Sequence, residues 1–246
     1  MKNIGNLGHI IGFGIFILLA VKFIHKRDIF SVINISNLSS KTESWIKKIR
    51  WNNFLKGILI WGVIAFIQMI PYIIYPNYFI LNPSTNILFI IICALLFIPA
   101  QSISEEIAFR GYLNQGLFLK FKNPLIIILI SSLIFGLLHE IPSNIDSLFY
   151  FLSTFTFGII LSLVVLTENG LETAMGMHVI NNIFAISLIS ELGATAPISL
   201  FIQTQEIPSS IFGSLDQSME LILYLIFLII LIIYKRKEIK ALFITK

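Results

Sequence analysis

The sequence predicts an all-α fold, a polytopic membrane bundle of about seven transmembrane helices, and three observations support it. Hydrophobic residues make up 57% of the 246 residues and charged residues only 12%, a balance that soluble domains do not show. Several apolar runs are long enough to cross a bilayer, which needs ~20 helical residues. Lys and Arg cluster between these runs instead of being spread along the chain.

The apolar runs predict one integral membrane domain that covers residues 1–246. The first run has only Lys2 before it and lacks a small-residue cleavage site, so we interpret it as a retained span and not as a signal peptide. The last run stops at the basic segment KRKEIK. The predicted spans are 5–24, 54–75, 86–104, 124–141, 147–167, 171–192 and 217–234.

The loops predict the orientation of the bundle. Lys and Arg are abundant in 22–56, in the turn at 120–122 and after residue 234, and are absent near 76–85, 140–146 and 193–216. The positive-inside rule therefore predicts an external N-terminus and a cytoplasmic C-terminus in a cell membrane. These loops also account for the net charge of +4, so we expect a lipid bilayer and no nucleic acid as partner. Lys- and Ile-rich, Ala-poor usage indicates a bacterial source.

Three charged residues interrupt this apolar background in QSISEEIAFRGYLNQG, residues 101–116. A charge at the bilayer centre costs at least ~2.5–3.5 kcal/mol on insertion scales, so such residues are expected to have a function or a partner. Glu106 and Arg110 are four apart and share a helix face, which predicts an ion pair. Glu105 lies ~100° around the helix and lacks such a partner. The pattern assigns Glu106 to structure and leaves Glu105 available for chemistry.

Two further helical pieces carry histidine. His139 ends SSLIFGLLH, and His178 lies four residues before Asn182 on the same helix face. The zinc-protease signature HExxH is absent, because Ser143 stands four residues after His139. Glu105 and His139 are about equally far from the turn at 120–123, so a helical hairpin would bring them level. His178 reaches that level only if this hairpin protrudes beyond its neighbours.

The pieces EEIAFR, FGLLH and HVINN, in this order, resemble the EExxxR, FxxxH and HxxxN motifs of the CPBP family, the CAAX proteases and bacteriocin-processing enzymes also called Abi proteins. The resemblance covers a catalytic core at about 85–192. It implies an all-helical intramembrane endopeptidase that hydrolyses a membrane-associated protein or peptide. The implied roles are water activation by Glu105, further site residues at His139 and His178, an oxyanion or ligand-orienting group at Asn182, and support from Glu106 and Arg110.

The same residues leave two chemistries open. Glu105, His139 and His178 would suit a catalytic zinc ion with water as its fourth ligand. A water activated by glutamate without metal would use the same side chains. Both alternatives stay open at this point.

Other classes of protein would also place such residues in a membrane. Two histidines on different spans could ligate haem iron, although that leaves Glu105 unexplained. Intramembrane Glu and His also occur in proton-coupled transporters. The principal alternative to the protease is a non-enzymatic membrane protein of the same fold that confers bacteriocin immunity or scaffolds a regulator.

Overall fold

The fold is helical, as predicted. The computed structural model describes residues 4–34, 48–83, 86–190, 199–205 and 215–244. Some helices contain or end in wider π-helical stretches, of which Ile107–Leu113 bears on the site. The helices are α1 (Ile4–Leu19), α2 (Trp51–Gln68), α3 (Ile70–Ile74), α4 (Ile87–Lys120), α5 (Pro124–His139), α6 (Ile145–Glu168), α7 (Glu172–Asn182), α8 (Leu215–Tyr234) and α9 (Arg236–Ile244).

Length and apolarity make this an all-α membrane protein. Among the described residues, three helices are long and apolar enough to cross a membrane, and a fourth is reached if Ser218–Tyr234 and Arg236–Ile244, bent by 71°, form one span. The other predicted spans contain helices, but α5 has 16 residues, and α7 has 11 before it continues as the π-helical stretch Ile183–Leu188. The predicted span 171–192 also includes a β-strand at Ile189–Ser190. Seven spans and the orientation of the bundle therefore remain predictions.

One predicted span is part of a longer helix. The span expected to end at residue 104 continues as α4 to Lys120. The reason is that the charged side chains after residue 104 are buried inside the bundle and have polar partners there: Glu106 is 0% and Arg110 3% exposed, and the two form an ion pair. The charges therefore do not force the helix to end.

A small β-sheet, which the sequence did not predict, joins two segments that are distant in the chain. Its strands are β1 (Phe79–Leu81), β2 (Ile189–Ser190) and β3 (Phe201–Gln203), in the spatial order β1-β3-β2. Strand β3 pairs antiparallel with β1, Ile202 opposite Ile80, and parallel with β2. The sheet thereby links the segment before α4 to the segment after α7. Helices α4 and α7 carry most of the site.

An aromatic cluster forms the core beside α7. Trp61 on α2 is fully buried, and its ring lies 4.9 Å from that of Phe157 and 5.0 Å from that of Tyr224. The Trp61 indole also donates a 2.9 Å hydrogen bond to Asn181 Oδ1. Helices α2, α6 and α8 therefore enclose α7 and fix its rotation, which decides where His178 points.

Close contact between α2 and α7 depends on glycine. A Cβ atom on Gly176 would lie 2.0 Å from the Phe54 carbonyl oxygen, and one on Gly57 would lie 2.1 Å from the Thr173 carbonyl oxygen. Backbone atoms cannot rotate away from such a contact, so the helices would have to separate. Small residues permit this kind of approach in membrane bundles.

We expect Gly176→Ala to destabilise the protein by ~1–3 kcal/mol, the usual cost of overpacking a close-packed contact. Gly62→Ala is the matched control, because Gly62 lies on α2 with nothing within 4 Å of the added Cβ. That control should be neutral or stabilising, since alanine is the better helix former. Thermal unfolding of both variants in detergent measures the difference, and equal melting temperatures would contradict this account of the contact.

Candidate active site

Glu105 lies inside the bundle at the middle of α4. It is 7% exposed, and the side-chain amide of Gln101, one turn earlier, donates a hydrogen bond to its Oε1 atom. The second carboxylate oxygen, Oε2, is buried and has no hydrogen-bond partner among the described residues. One oxygen of Glu105 is therefore held in place while the other is available.

The available oxygen faces both predicted histidines. Its distance is 3.4 Å to His178 Nε2 and 3.9 Å to His139 Nε2. The His178 side chain is buried, whereas 28% of the His139 side chain is exposed. Phe135 packs between them, with ring centroids 4.3 Å from His139 and 5.9 Å from His178. The structure thus brings Glu105, His139 and His178 together, with His139 at the rim.

The contact made by the Nδ1 atom of each histidine decides which ring nitrogen carries the proton. His139 Nδ1 lies 2.8 Å from the Phe135 carbonyl oxygen, and His178 Nδ1 lies 2.7 Å from Glu106 Oε1. A carbonyl or a carboxylate only accepts, so both Nδ1 atoms donate. In a neutral imidazole each Nε2 atom is then an acceptor. Glu105 Oε2 and the two Nε2 atoms are then three acceptors that face one another. Such a site fits a group that donates hydrogen bonds, such as water.

Glu106 holds two neighbours at once. The Arg110 guanidinium donates a 2.9 Å bond to Glu106 Oε1, the same oxygen that accepts from His178. Arg110 also donates to the Gly158 carbonyl at 3.3 Å and stacks over Phe135 at 4.4 Å. The sequence predicted the pairing of Glu106 and Arg110 from their spacing. It did not predict that Glu106 orients His178.

Asn182 reaches the site only through other side chains. Its Nδ2 group donates to Gln101 Oε1 at 3.0 Å and to Ser102 Oγ at 3.1 Å. Asn182 Oδ1 accepts from Asn181 at 3.2 Å. Because Gln101 contacts Glu105 directly, Asn182 lies one residue away from the carboxylate. Sequence reasoning missed Gln101 and Ser102, although the four-residue spacing of Gln101 and Glu105 was a usable signal.

The donor types would suit zinc, since each Nε2 atom is backed by an acceptor on Nδ1, as in many zinc sites. Within the described part of the chain, no group of three or more His, Cys, Asp and Glu side chains is arranged so that it could hold a metal ion. A catalytic zinc ion and a water activated without metal both stay predictions.

Comparison with known proteins agrees with the motifs. A family described as "Type II CAAX prenyl endopeptidase Rce1-like" matches residues 83–184, which confirms the resemblance to CAAX proteases. A protein of Bacillus subtilis (strain 168) named "Uncharacterized protein YyaK" is 28% identical over 178 residues. The match covers 70% of this chain and 56% of that protein, so the chain spans about half the length of its relative. No solved structure matches significantly.

Proposed function

We propose that this chain, which carries an Rce1-like domain at residues 83–184, is an intramembrane endopeptidase of the CPBP type. The observation that carries the proposal is the convergence of one buried carboxylate oxygen and two imidazole Nε2 atoms, 3.4 and 3.9 Å from it. Its substrate is a peptide bond in a membrane-associated protein or peptide. The core at 85–192 holds the catalytic groups, in a cell membrane with the C-terminus in the cytoplasm.

Water is the nucleophile in the proposed reaction. A water molecule among the three acceptors donates one hydrogen to Glu105 Oε2 and the other to a histidine Nε2 atom, which turns a lone pair towards the substrate. As the water oxygen attacks the carbonyl carbon, Glu105 takes its proton as general base. When the carbon–nitrogen bond breaks, Glu105 returns this proton to the leaving amine. His139, at the exposed rim, is the histidine that faces the entering peptide.

The buried groups around Glu105 position it for this step. Gln101 holds Oε1, so that Oε2 faces the histidines, and Asn182 holds Gln101. Glu106, fixed by Arg110, keeps the Nδ1 proton of His178 pointing away from the reaction. A catalytic group must be held within fractions of an ångström, which such supporting contacts provide. We assign Asn182 a positioning role through Gln101, where the motif resemblance implies an oxyanion or ligand-orienting group.

If Asn182 acts through Gln101, removing both should cost little more than removing either. We expect Gln101→Leu and Asn182→Leu each to reduce the turnover number about 10- to 100-fold with little change in KM, the range that outer-shell supports show at other sites. The double variant should resemble the worse single variant, because residues of one network are not additive. If the double variant instead lost the product of the two single losses, the two residues would act separately. That result would contradict the role of Asn182 through Gln101.

Peptide release from membranes distinguishes the peptidase from the principal alternative, a non-enzymatic protein of the same fold. The peptidase makes the following prediction. Membranes that contain the native chain should release peptides with new termini, detected by mass spectrometry, and membranes with Glu105→Ala should not. Glu238→Ala is the control, because Glu238 is exposed on α9 outside the site. Equal peptide release from all three membranes, together with an intact biological phenotype of Glu105→Ala, would favour the non-enzymatic protein.

A further inference from the structure

A row of buried polar side chains leads along α4 away from the site. Glu106, Arg110 and Asn114 follow at four-residue spacing and are 0%, 3% and 2% exposed. Residues four apart lie near one another along a helix, as the ion pair between Glu106 and Arg110 shows. Buried polar side chains need hydrogen-bond partners, so the row calls for a physical reason.

Each member of the row has polar atoms that no described residue pairs. Glu106 Oε2, Arg110 Nε and both Asn114 amide atoms have no hydrogen-bond partner among the described residues. Leaving a buried polar group unpaired costs ~1–3 kcal/mol, and buried polar groups are paired in the great majority of cases, with protein or with ordered water. Asn114 is the clearest case, because neither end of its amide has a partner in the described part of the chain.

The helix itself is irregular along this row. Ile107–Leu113 is π-helical, and short π-helical stretches inside α-helices are frequent at functional sites. The widened turn lies between Glu106 and Asn114 and includes Arg110. The local distortion therefore coincides with the unpaired groups.

The two ends of the row are different in kind. At one end, Glu106 contacts His178, which faces Glu105. At the other end, Gln115, next to Asn114, donates to the Ser31 carbonyl at 2.8 Å and accepts from Arg27 at 2.9 Å, the latter in a contact exposed to solvent. The Ser31 hydroxyl is also buried without a hydrogen-bond partner among the described residues. The row therefore begins at a residue that contacts the site, and it ends beside Gln115, whose contact with Arg27 is exposed to solvent.

We propose that the row binds a chain of ordered water molecules, entering beside Ser31 and passing Asn114 and Arg110, that supplies the water which Glu105 activates. The proposal rests on the proposed function and deepens it. Substrate would approach past His139 at the exposed rim, while water arrives from behind the site along α4. An endopeptidase in a membrane needs such a route, because the bilayer core contains no water.

Silver ions are a probe small enough for a water chain. In a Cys93→Ala background, Asn114→Cys membranes are treated with Ag⁺, washed, denatured and labelled with a fluorescent maleimide. We expect Ag⁺ to protect the introduced thiol from later labelling by at least about 10-fold over an Ile160→Cys control, since Ile160 is 0% exposed in the apolar core. Adding Ser31→Leu should slow the protection. Protection no greater than at Ile160→Cys in a folded protein would overturn the proposal, and so would protection that Ser31→Leu leaves unchanged.

Asn114→Leu tests the supply of water to the reaction. Leucine has a similar volume and removes an unpaired amide, so we expect an unchanged or higher melting temperature but a turnover number at least about 10-fold lower, with KM unchanged. Full turnover in this variant would overturn the supply role even if Ag⁺ reaches the thiol of Asn114→Cys. The silver experiment needs no catalysis, so its result is independent of the proposed peptidase activity. That activity is tested separately, by comparing peptide release from native and Glu105→Ala membranes.

Discussion

Glu105→Gln is expected to abolish peptide release while the protein stays folded and abundant. The variant keeps the size of the side chain, and its amide can still contact Gln101, but it cannot take a proton from water. General-base catalysis contributes about 10²- to 10⁴-fold, so we expect a loss of at least about 100-fold. The measurement is the rate of peptide release per folded molecule. Mass spectrometry gives the release rate, and fluorescence-detected size-exclusion chromatography gives the amount of folded protein.

The control for this variant is Glu238→Gln, which removes an exposed carboxylate on α9 and should leave the rate unchanged. A Glu105→Gln variant that cleaves at the native rate would remove Glu105 from the catalytic step. A variant that loses the rate only because it no longer folds would leave a melting temperature far below native, which we do not expect, since Glu105 makes no ion pair with Lys or Arg among the described residues.

Glu106→Gln is expected to act mainly on stability. The Glu106 carboxylate pairs with Arg110 at 2.9 Å and with His178 at 2.7 Å, and both partners are buried. Removing one member of a buried pair leaves an uncompensated charge and typically costs ~3–5 kcal/mol. We expect a large drop in melting temperature and in yield from Glu106→Gln, where Glu105→Gln shows neither.

The paired comparison makes this prediction specific. Both variants replace a buried glutamate by glutamine at adjacent positions of one helix, so composition and depth are matched. If Glu106→Gln were as stable as the native protein, or if the two phenotypes were exchanged, the assignment of Glu106 to support and of Glu105 to chemistry would be wrong.

Local spacing explains which parts of the site could be predicted from the sequence. The Glu106–Arg110 pair follows from a four-residue separation on one helix. The approach of Glu105 to His139 follows from their equal distances to the turn at 120–123. The family motifs added His178 to the same site, since helix arithmetic alone placed it there only if the hairpin protruded.

Contacts that depend on the rotation and crossing of helices could not be predicted. The bond between Glu106 and His178 requires the relative rotation of α4 and α7, which the aromatic cluster around Trp61 sets. The buried Glu172 is another case: it pairs with Arg50 at 2.6 Å, across 122 residues of chain. No periodic pattern encodes such distant partners.

The small sheet and the full length of the helix that carries Glu105 could not be predicted either. Strands of two or three residues have too few alternating positions to give a recognisable pattern. The predicted span ended at residue 104 because charged residues ordinarily mark the end of a span. Here they are paired inside the protein, which a linear hydropathy profile cannot detect.

The most direct test of the central claim, hydrolysis by a water that Glu105 activates, is isotope incorporation. Membranes containing the native chain are incubated in ¹⁸O-labelled water, and released peptides are analysed by mass spectrometry. We predict one ¹⁸O atom in the new terminal carboxylate of each cleaved peptide, and no such product from Glu105→Gln membranes. Labelled termini appearing equally with Glu105→Gln, or no labelled termini from the native chain, would contradict the account.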